Sequence, residues 1–138
     1  NLEERREAFI RAIELDFEPH LPLLNIDAAR MKQVFLNLLM NSQQAIDDGG
    51  LIRVSTSTAD ETGRVWVRFW DSGKGIPAQV LNKVFDPFFS TKAAGEGTGL
   101  GLSVSYGIVR DHGGEIHAAS EPGKWTELTI LLPVSEIS

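Results

Sequence analysis

The sequence predicts an α+β domain, a two-layer α/β sandwich with helices packed on one face of a mixed, mostly antiparallel sheet. Residues 51–58, 64–71, 115–120 and 125–133 alternate apolar and polar side chains with period two, as half-buried strands do. Residues 28–46 and about 99–112 instead repeat their apolar side chains at the spacing of a 3.6-residue turn. The order of these stretches sets strand pairs between single helices. At 138 residues, with 42% hydrophobic residues, the chain fits one domain over 1–138 with a real core.

Taken in order, "LEERREAF" reads as helix, "FIRAIELDF" as a strand, and "LLNI" as its short partner. Asp27 is placed to cap a helix whose inner face carries Met31, Val34, Phe35, Leu38, Ser42, Ala45 and Ile46, and Gly49 and Gly50 stop it. "LIRVSTST" and "RVWVRFWD" form a hairpin around a polar turn at 61–63. A short helix follows Pro77, and "FDPFFSTKAAGEGTG" reads as a loop. The second long helix runs to His112 and stops at Gly113. "EIHAAS" and "WTELTILLP" then close the sheet around "EPGK".

A net charge of −6 excludes a surface built to hold nucleic acid or an anionic membrane, so any phosphate contact must be local. With no cysteine there is no disulfide framework and no thiolate metal site, and His20, His112 and His117 lack metal-ligand spacing. No apolar run is long enough to span a bilayer, and no signal peptide opens the chain. The abrupt start at Asn1 suggests a segment of a longer protein.

Four stretches carry chemistry. On the first long helix, Asn37, Asn41 and Gln44 form a polar stripe bordering the apolar face, with Asn41 nearest the core. An amide oxygen there can bind Mg2+ and an amide NH2 can donate to phosphate, without adding negative charge. Asp71 ends the apolar row Val65, Val67, Phe69, where a carboxylate needs a donor such as an adenine amino group. Gly73 and Gly75 would let the backbone approach a flat base. "VFDPFFSTK" brings Phe85, Phe88 and Phe89 together beside Lys92, a cation suited to a terminal phosphate. In "GEGTGLGLS", Gly95, Gly97, Gly99 and Gly101 run into a helix whose first amides, at Leu100, Gly101 and Leu102, face outward where the helix dipole favours an anion. Each stretch also has a plainer reading: solvated helix flank, Asp-Ser-Gly turn, aromatic loop anchor, surface lysine. The outward set Trp66, Arg68 and Trp70 is either a contact face or, as expected here, a surface packed by terminal segments. No Walker string occurs, the glycines come too late for a dinucleotide fold, and the chain is too short for a Ser/Thr kinase.

Together the four stretches resemble the catalytic ATP-binding domain of two-component sensor histidine kinases, within the gyrase/chaperone/MutL (Bergerat-fold) superfamily, over residues 27–133. "NLLMNSQQA" is similar to the N box, "DSGKGIP" to the G1 box, "FDPFFSTK" to the F box and "GEGTGLGLS" to the G2 box. The resemblance implies ATP and Mg2+ as ligands. Asn41 would hold Mg2+ and touch the phosphates, assisted by Asn37 and Gln44, and Asp71 would accept from the adenine amino group. Gly73, Gly75, Ile76 and Thr129 would line the base pocket. Gly97, Thr98, Gly99, Leu100, Gly101 and Leu102 would wrap the phosphates, and residues 90–96 would form a short lid.

Relatives often carry a basic residue at the Gln44 position and another near Ser90, so the resemblance leaves either Lys92 or Gln44 to meet the γ-phosphate. Four residues before the Mg2+ asparagine, the superfamily's hydrolases place a glutamate as general base. Asn37 cannot serve as one, which points to phosphoryl transfer. The phosphorylated histidine would lie on a separate helical hairpin that docks near Phe88 and Phe89. None of the three histidines here has an H-E-x-x-x-P context. The implied setting is a cytoplasmic, monomeric fragment of a homodimeric parent, membrane-anchored or not, with a response regulator downstream. A free-standing hydrolase, a serine kinase of anti-sigma type and a nucleotide-sensing module share such a pocket.

Overall fold

The computed structural model describes residues 13–46, 49–58, 63–87 and 100–134. In chain order these give β1 (Ile13–Phe17), α1 (Ala28–Ala45), β2 (Ile52–Thr58), β3 (Arg64–Asp71), a single-turn α2 (Ala78–Leu81), α3 (Leu100–Asp111), β4 (Glu115–Glu121) and β5 (Trp125–Pro133). The strands form one sheet in the order β1-β2-β3-β5-β4. Only β1–β2 is parallel, so the sheet is mixed and mostly antiparallel, with the helices on one side as expected.

Asp27 caps α1 by accepting the Arg30 N–H at 3.2 Å, which satisfies one of the free amides of the first turn. Met31, Val34, Leu38 and Ser42 then fall on the buried face, and Phe35 meets Phe69 of β3 with ring centroids 6.0 Å apart. In β3, Val65, Val67, Phe69 and Asp71 are buried in one row. Opposite them in register stand Leu132, Ile130, Leu128 and Thr126 of β5, also buried. These rows, α1, and Ile108 and Val109 of α3 make one core. Burying such side chains is worth roughly 1.5–3 kcal/mol each, the main term holding the helices to the sheet.

The ends of α1 and α3 are also tied. Arg30 pairs with Asp111 at 2.8 Å, and the Asp27 N–H donates to His112 Nε2 at 3.0 Å. His112 Nδ1 lies 2.8 Å from the Ile108 carbonyl and donates to it, so the ring is held as one neutral tautomer. Gly113 follows with φ +75°, the left-handed stop that the sequence indicated.

One expectation changes, and two fall partly or wholly outside the described residues. Residues 23–26 are not a strand; Leu24 and Ile26 pack on the core from an extended segment leading to Asp27. The segment expected as a strand from Phe9 is a strand at Ile13–Phe17, its first residues lying outside the described residues together with the expected helix at 2–9. Trp66, Arg68 and Trp70 do face away from the helices, and the sheet partly covers them itself. The Arg68 guanidinium stacks over Trp66 at 4.1 Å, and Arg53 lies over Trp70 at 5.5 Å. The terminal segments expected to pack there lie outside the described residues.

Candidate functional site

At the end of β3 the chain leaves the sheet through Asp71–Pro77 and is fastened on both sides. The Ser72 N–H donates to the Leu51 carbonyl at 3.0 Å, and the Leu51 N–H returns to Ser72 Oγ at 2.8 Å. The Lys74 N–H donates to the Ala45 carbonyl at 3.2 Å, satisfying a carbonyl left over at the end of α1. On the other side the Gly123 N–H donates to the Lys74 carbonyl at 2.7 Å, and the Ile76 N–H donates to Ser120 Oγ at 2.7 Å. The loop is therefore a bridge between α1 and the β4–β5 turn. It fixes Asp71, Gly73, Gly75 and Ile76 against the last turn of the helix that carries Asn37, Asn41 and Gln44.

Asp71 is 2% exposed. Its Oδ1 accepts the Gly73 N–H at 2.9 Å, the single hydrogen bond it makes among the described residues. Burial pushes the carboxyl above its ordinary pKa, and the Gly73 amide and the nearby Ser42 hydroxyl pull it only partway back. Ser42 is 1% exposed on the inner face of α1. Its Oγ is the one buried side-chain polar atom among the described residues with no partner. Thr126, 3% exposed, stands opposite Asp71 in register. Thr126 Oγ1 lies 3.1 Å from Ser120 Oγ, which in turn donates to the Trp125 carbonyl at 2.7 Å. The result is a buried acid with two hydroxyl residues beside it and acceptor capacity left over.

Thr129 does not belong to this pocket. It stands opposite Arg68 and His117 on the open face of the sheet, where Arg68 Nε is 3.4 Å from its hydroxyl. The residue that shares a face with Asp71 is Thr126. The period-two pattern of β5 contained this signal, because Thr126 continues the row Leu128, Ile130, Leu132 and Thr129 does not. Ser42 was legible as an inner-face residue of α1, but not as part of a site.

The two glycines have a nearer cause than a ligand. A Cβ on Gly73 would run into the Ala45 carbonyl and lie 2.7 Å from Asp71 Oδ1. Gly75 has φ +73°, and a Cβ there would come within 2.8 Å of Pro122 Cα. Both are demanded by the bridge.

Asn37 donates to Ser105 Oγ of α3 at 3.4 Å, so its amide is engaged between the helices. Asn41, one turn on and half-buried, has no hydrogen-bond partner among the described residues. Gln44 is exposed. Leu100, Gly101 and Leu102 open α3, whose first amides have no acceptor within the helix. Phe85 stacks on Tyr106 of α3, with centroids 5.8 Å apart, which anchors the chain where the loop begins. Phe88, Phe89, Lys92, Gly97, Thr98 and Gly99 lie outside the described residues. Among the described residues no group of three or more His, Cys, Asp or Glu converges on a metal position. A cation here would have to be held largely by a ligand's own phosphates, with one neutral amide such as Asn41, and that donor set suits Mg2+.

Comparison with known proteins points the same way. The family described as histidine kinase-, DNA gyrase B-, and HSP90-like ATPase matches residues 26–136. The sensor histidine kinase ZraS of Klebsiella oxytoca is 47% identical over 132 residues, covering 94% of this chain and 28% of its own. The signal transduction histidine-protein kinase AtoS of Escherichia coli is 39% identical, covering 96% of this chain and 21% of its own. This chain thus spans less than a third of these curated relatives. The solved catalytic domain of histidine kinase ThkA, in a nucleotide-free form, superposes with a TM-score of 0.75 at 32% identity. That match covers 96% of this chain and 86% of ThkA's.

Proposed function

Since the chain belongs to the histidine kinase-, DNA gyrase B-, and HSP90-like ATPase family, and within it to the catalytic ATP-binding domains of histidine kinases, we propose that it presents the γ-phosphate of Mg2+-ATP to a histidine on a separate domain of its parent. The observation that carries this reading is Asp71: a sheltered carboxyl with one backbone donor, lacking the donor that an adenine amino group supplies.

In this reading the adenine sits against the Asp71–Ile76 bridge with its amino group on Asp71. The triphosphate runs toward the α1 flank and the tip of α3. The Asn41 amide meets the phosphates and Mg2+, and Mg2+ supplies neutralisation of the phosphate charge. Gly97 to Leu102 offer backbone amides, and Lys92 reaches the γ-phosphate. Phosphoryl transfer depends on positioning and charge stabilisation more than on covalent chemistry by the enzyme, so these groups suffice on this side of the reaction. Asn37 supports transfer over hydrolysis. Its amide cannot take a proton from water, and it is already engaged with Ser105.

The acceptor histidine, carried on a helical hairpin of a dimeric parent that docks near Phe88 and Phe89, and a response regulator beyond it, complete the proposed pathway. No helix among the described residues is long and apolar enough to cross a membrane, and membrane anchoring of the parent is left to its other parts.

The test supplies the parent's hairpin in trans with γ-labelled ATP. Acid-labile label on the hairpin's histidine is expected, with little free phosphate from the 138-residue chain alone. Steady phosphate release by the chain alone would identify a hydrolase, acid-stable label a serine kinase, and tight nucleotide binding with no transfer a sensing module.

A further inference from the structure

α3 buries a serine where its neighbours on the same face are apolar. Ser105 is 0% exposed and shares that face with Ile108 and Val109, at 5% and 0%. A hydroxyl gains nothing from burial itself and has to be hydrogen-bonded there. Its partner is Asn37 of α1, whose Nδ2 donates to Ser105 Oγ at 3.4 Å.

The position of this contact along the two helices gives it a consequence. Asp27 and Arg30 at the start of α1 meet His112 and Asp111 at the end of α3, so the helices run antiparallel. From Arg30 to Asn37 is about two turns of α1, and from Asp111 back to Ser105 is a little under two turns of α3. The two ties are in register. One further turn in the same directions brings Asn41 of α1 beside Gly101 of α3. Gly101 lies in the first turn of α3, where the amides have no acceptor within the helix. The gap between Asn41 and those amides is therefore set one turn away, by Asn37 and Ser105.

We propose that Ser105 is a positioning residue of the nucleotide site: by holding the Asn37 amide, it fixes how far the Asn41 flank of α1 stands from the opening amides of α3. The inference rests on the reading that the triphosphate and its Mg2+ lie between these two groups. In this role Ser105 touches no ligand atom. The adenine end is fixed by other means, since the bridge from Asp71 to Pro77 is fastened to Ala45, Leu51, Ser120 and Gly123. Loss of the Ser105 hydroxyl should be felt by the phosphates and not by the base.

The experiment is calorimetric titration of the wild-type chain, Ser105→Ala, Asn37→Ala and the double variant with Mg2+-ATP and with adenosine, which has no phosphate. One hydrogen bond is worth about three- to tenfold in affinity. Ser105→Ala is expected to bind Mg2+-ATP weaker by that factor and adenosine as the wild type does. In the Asn37→Ala background the same serine substitution should have no further effect on Mg2+-ATP, because its partner is gone. A serine that only supports packing gives another pattern: equal losses on both ligands, or the same loss with and without Asn37. Melting curves without nucleotide check that each variant folds. Should Ser105→Ala not fold, Ser105→Cys takes its place with the same expected direction, since a thiol fills similar space and accepts only weakly.

The inference is overturned if the serine variant binds Mg2+-ATP as the wild type does, loses adenosine by the same factor, or loses as much in the Asn37→Ala background. In each of these cases Mg2+-ATP binding that still depends on Asp71 leaves the proposed function standing. A folded wild type that binds neither ligand removes both.

Discussion

Ionising Asp71 inside the fold is unfavourable, because burial outweighs the Gly73 amide and the Ser42 hydroxyl that favour the anion. Its folded-state pKa lies above the unfolded value. Its contribution to stability is therefore greatest below the unfolded pKa and is lost as pH rises through the folded pKa. Asp71→Asn keeps an oxygen for the Gly73 N–H but has no proton to lose. The variant should melt above the wild type at neutral pH without nucleotide, with the difference shrinking as pH falls toward the carboxylate range. A difference independent of pH would contradict the assignment of cause. The same substitution should weaken ADP by about ten- to a hundredfold, the loss of a charge-assisted hydrogen bond. Asn41→Ala should instead remove the advantage that Mg2+ gives to ATP binding, read as equal dissociation constants with and without the cation. At this scale the sequence was informative where alternation alone decides the face, as for Val65 to Asp71. Thr129 falls on the other face because the buried row of β5 runs through Thr126, Leu128, Ile130 and Leu132, a parity that the sequence contains and the resemblance does not. Lys92, Phe89 and the glycines up to Gly99 lie outside the described residues, and their roles rest on the sequence alone.

Among the elements, the bridge from Asp71 to Pro77 shows how a glycine motif serves the fold before it serves a ligand. Gly73→Ala places a methyl against the Ala45 carbonyl and Asp71 Oδ1. Overpacking of this kind costs about 1–3 kcal/mol, measurable by urea denaturation without nucleotide. An unchanged midpoint would mean that the bridge yields freely. Gly107, in the middle of α3, has open space where its Cβ would be. Gly107→Ala should therefore stabilise the chain by about 0.5–1 kcal/mol, since only the entropic cost of glycine in a helix is removed. The long helices were legible from their period and from Asp27 and Gly113. The strand expected at residues 23–26 was not real, because two apolar residues two apart, Leu24 and Ile26, also suit an extended segment that lies on the core without pairing.

For the whole molecule, the sheet order β1-β2-β3-β5-β4 sets Asp71 and Thr126 at the same end of neighbouring strands, and α1 lays its asparagine flank beside them. No local pattern contains that adjacency. It follows from how strands far apart in sequence pair, and the sequence conveyed it only through the order of four motifs. A pocket assembled in this way should bind nucleotide without the rest of the parent.

Titration of the purified 138-residue chain with ADP and GDP, read by heat and by circular dichroism on the same sample, tests that most directly. Saturable ADP binding, with GDP far weaker and the folded signal unchanged, is the predicted result. A chain that keeps its folded signal and takes up neither nucleotide, or takes both equally, would contradict it.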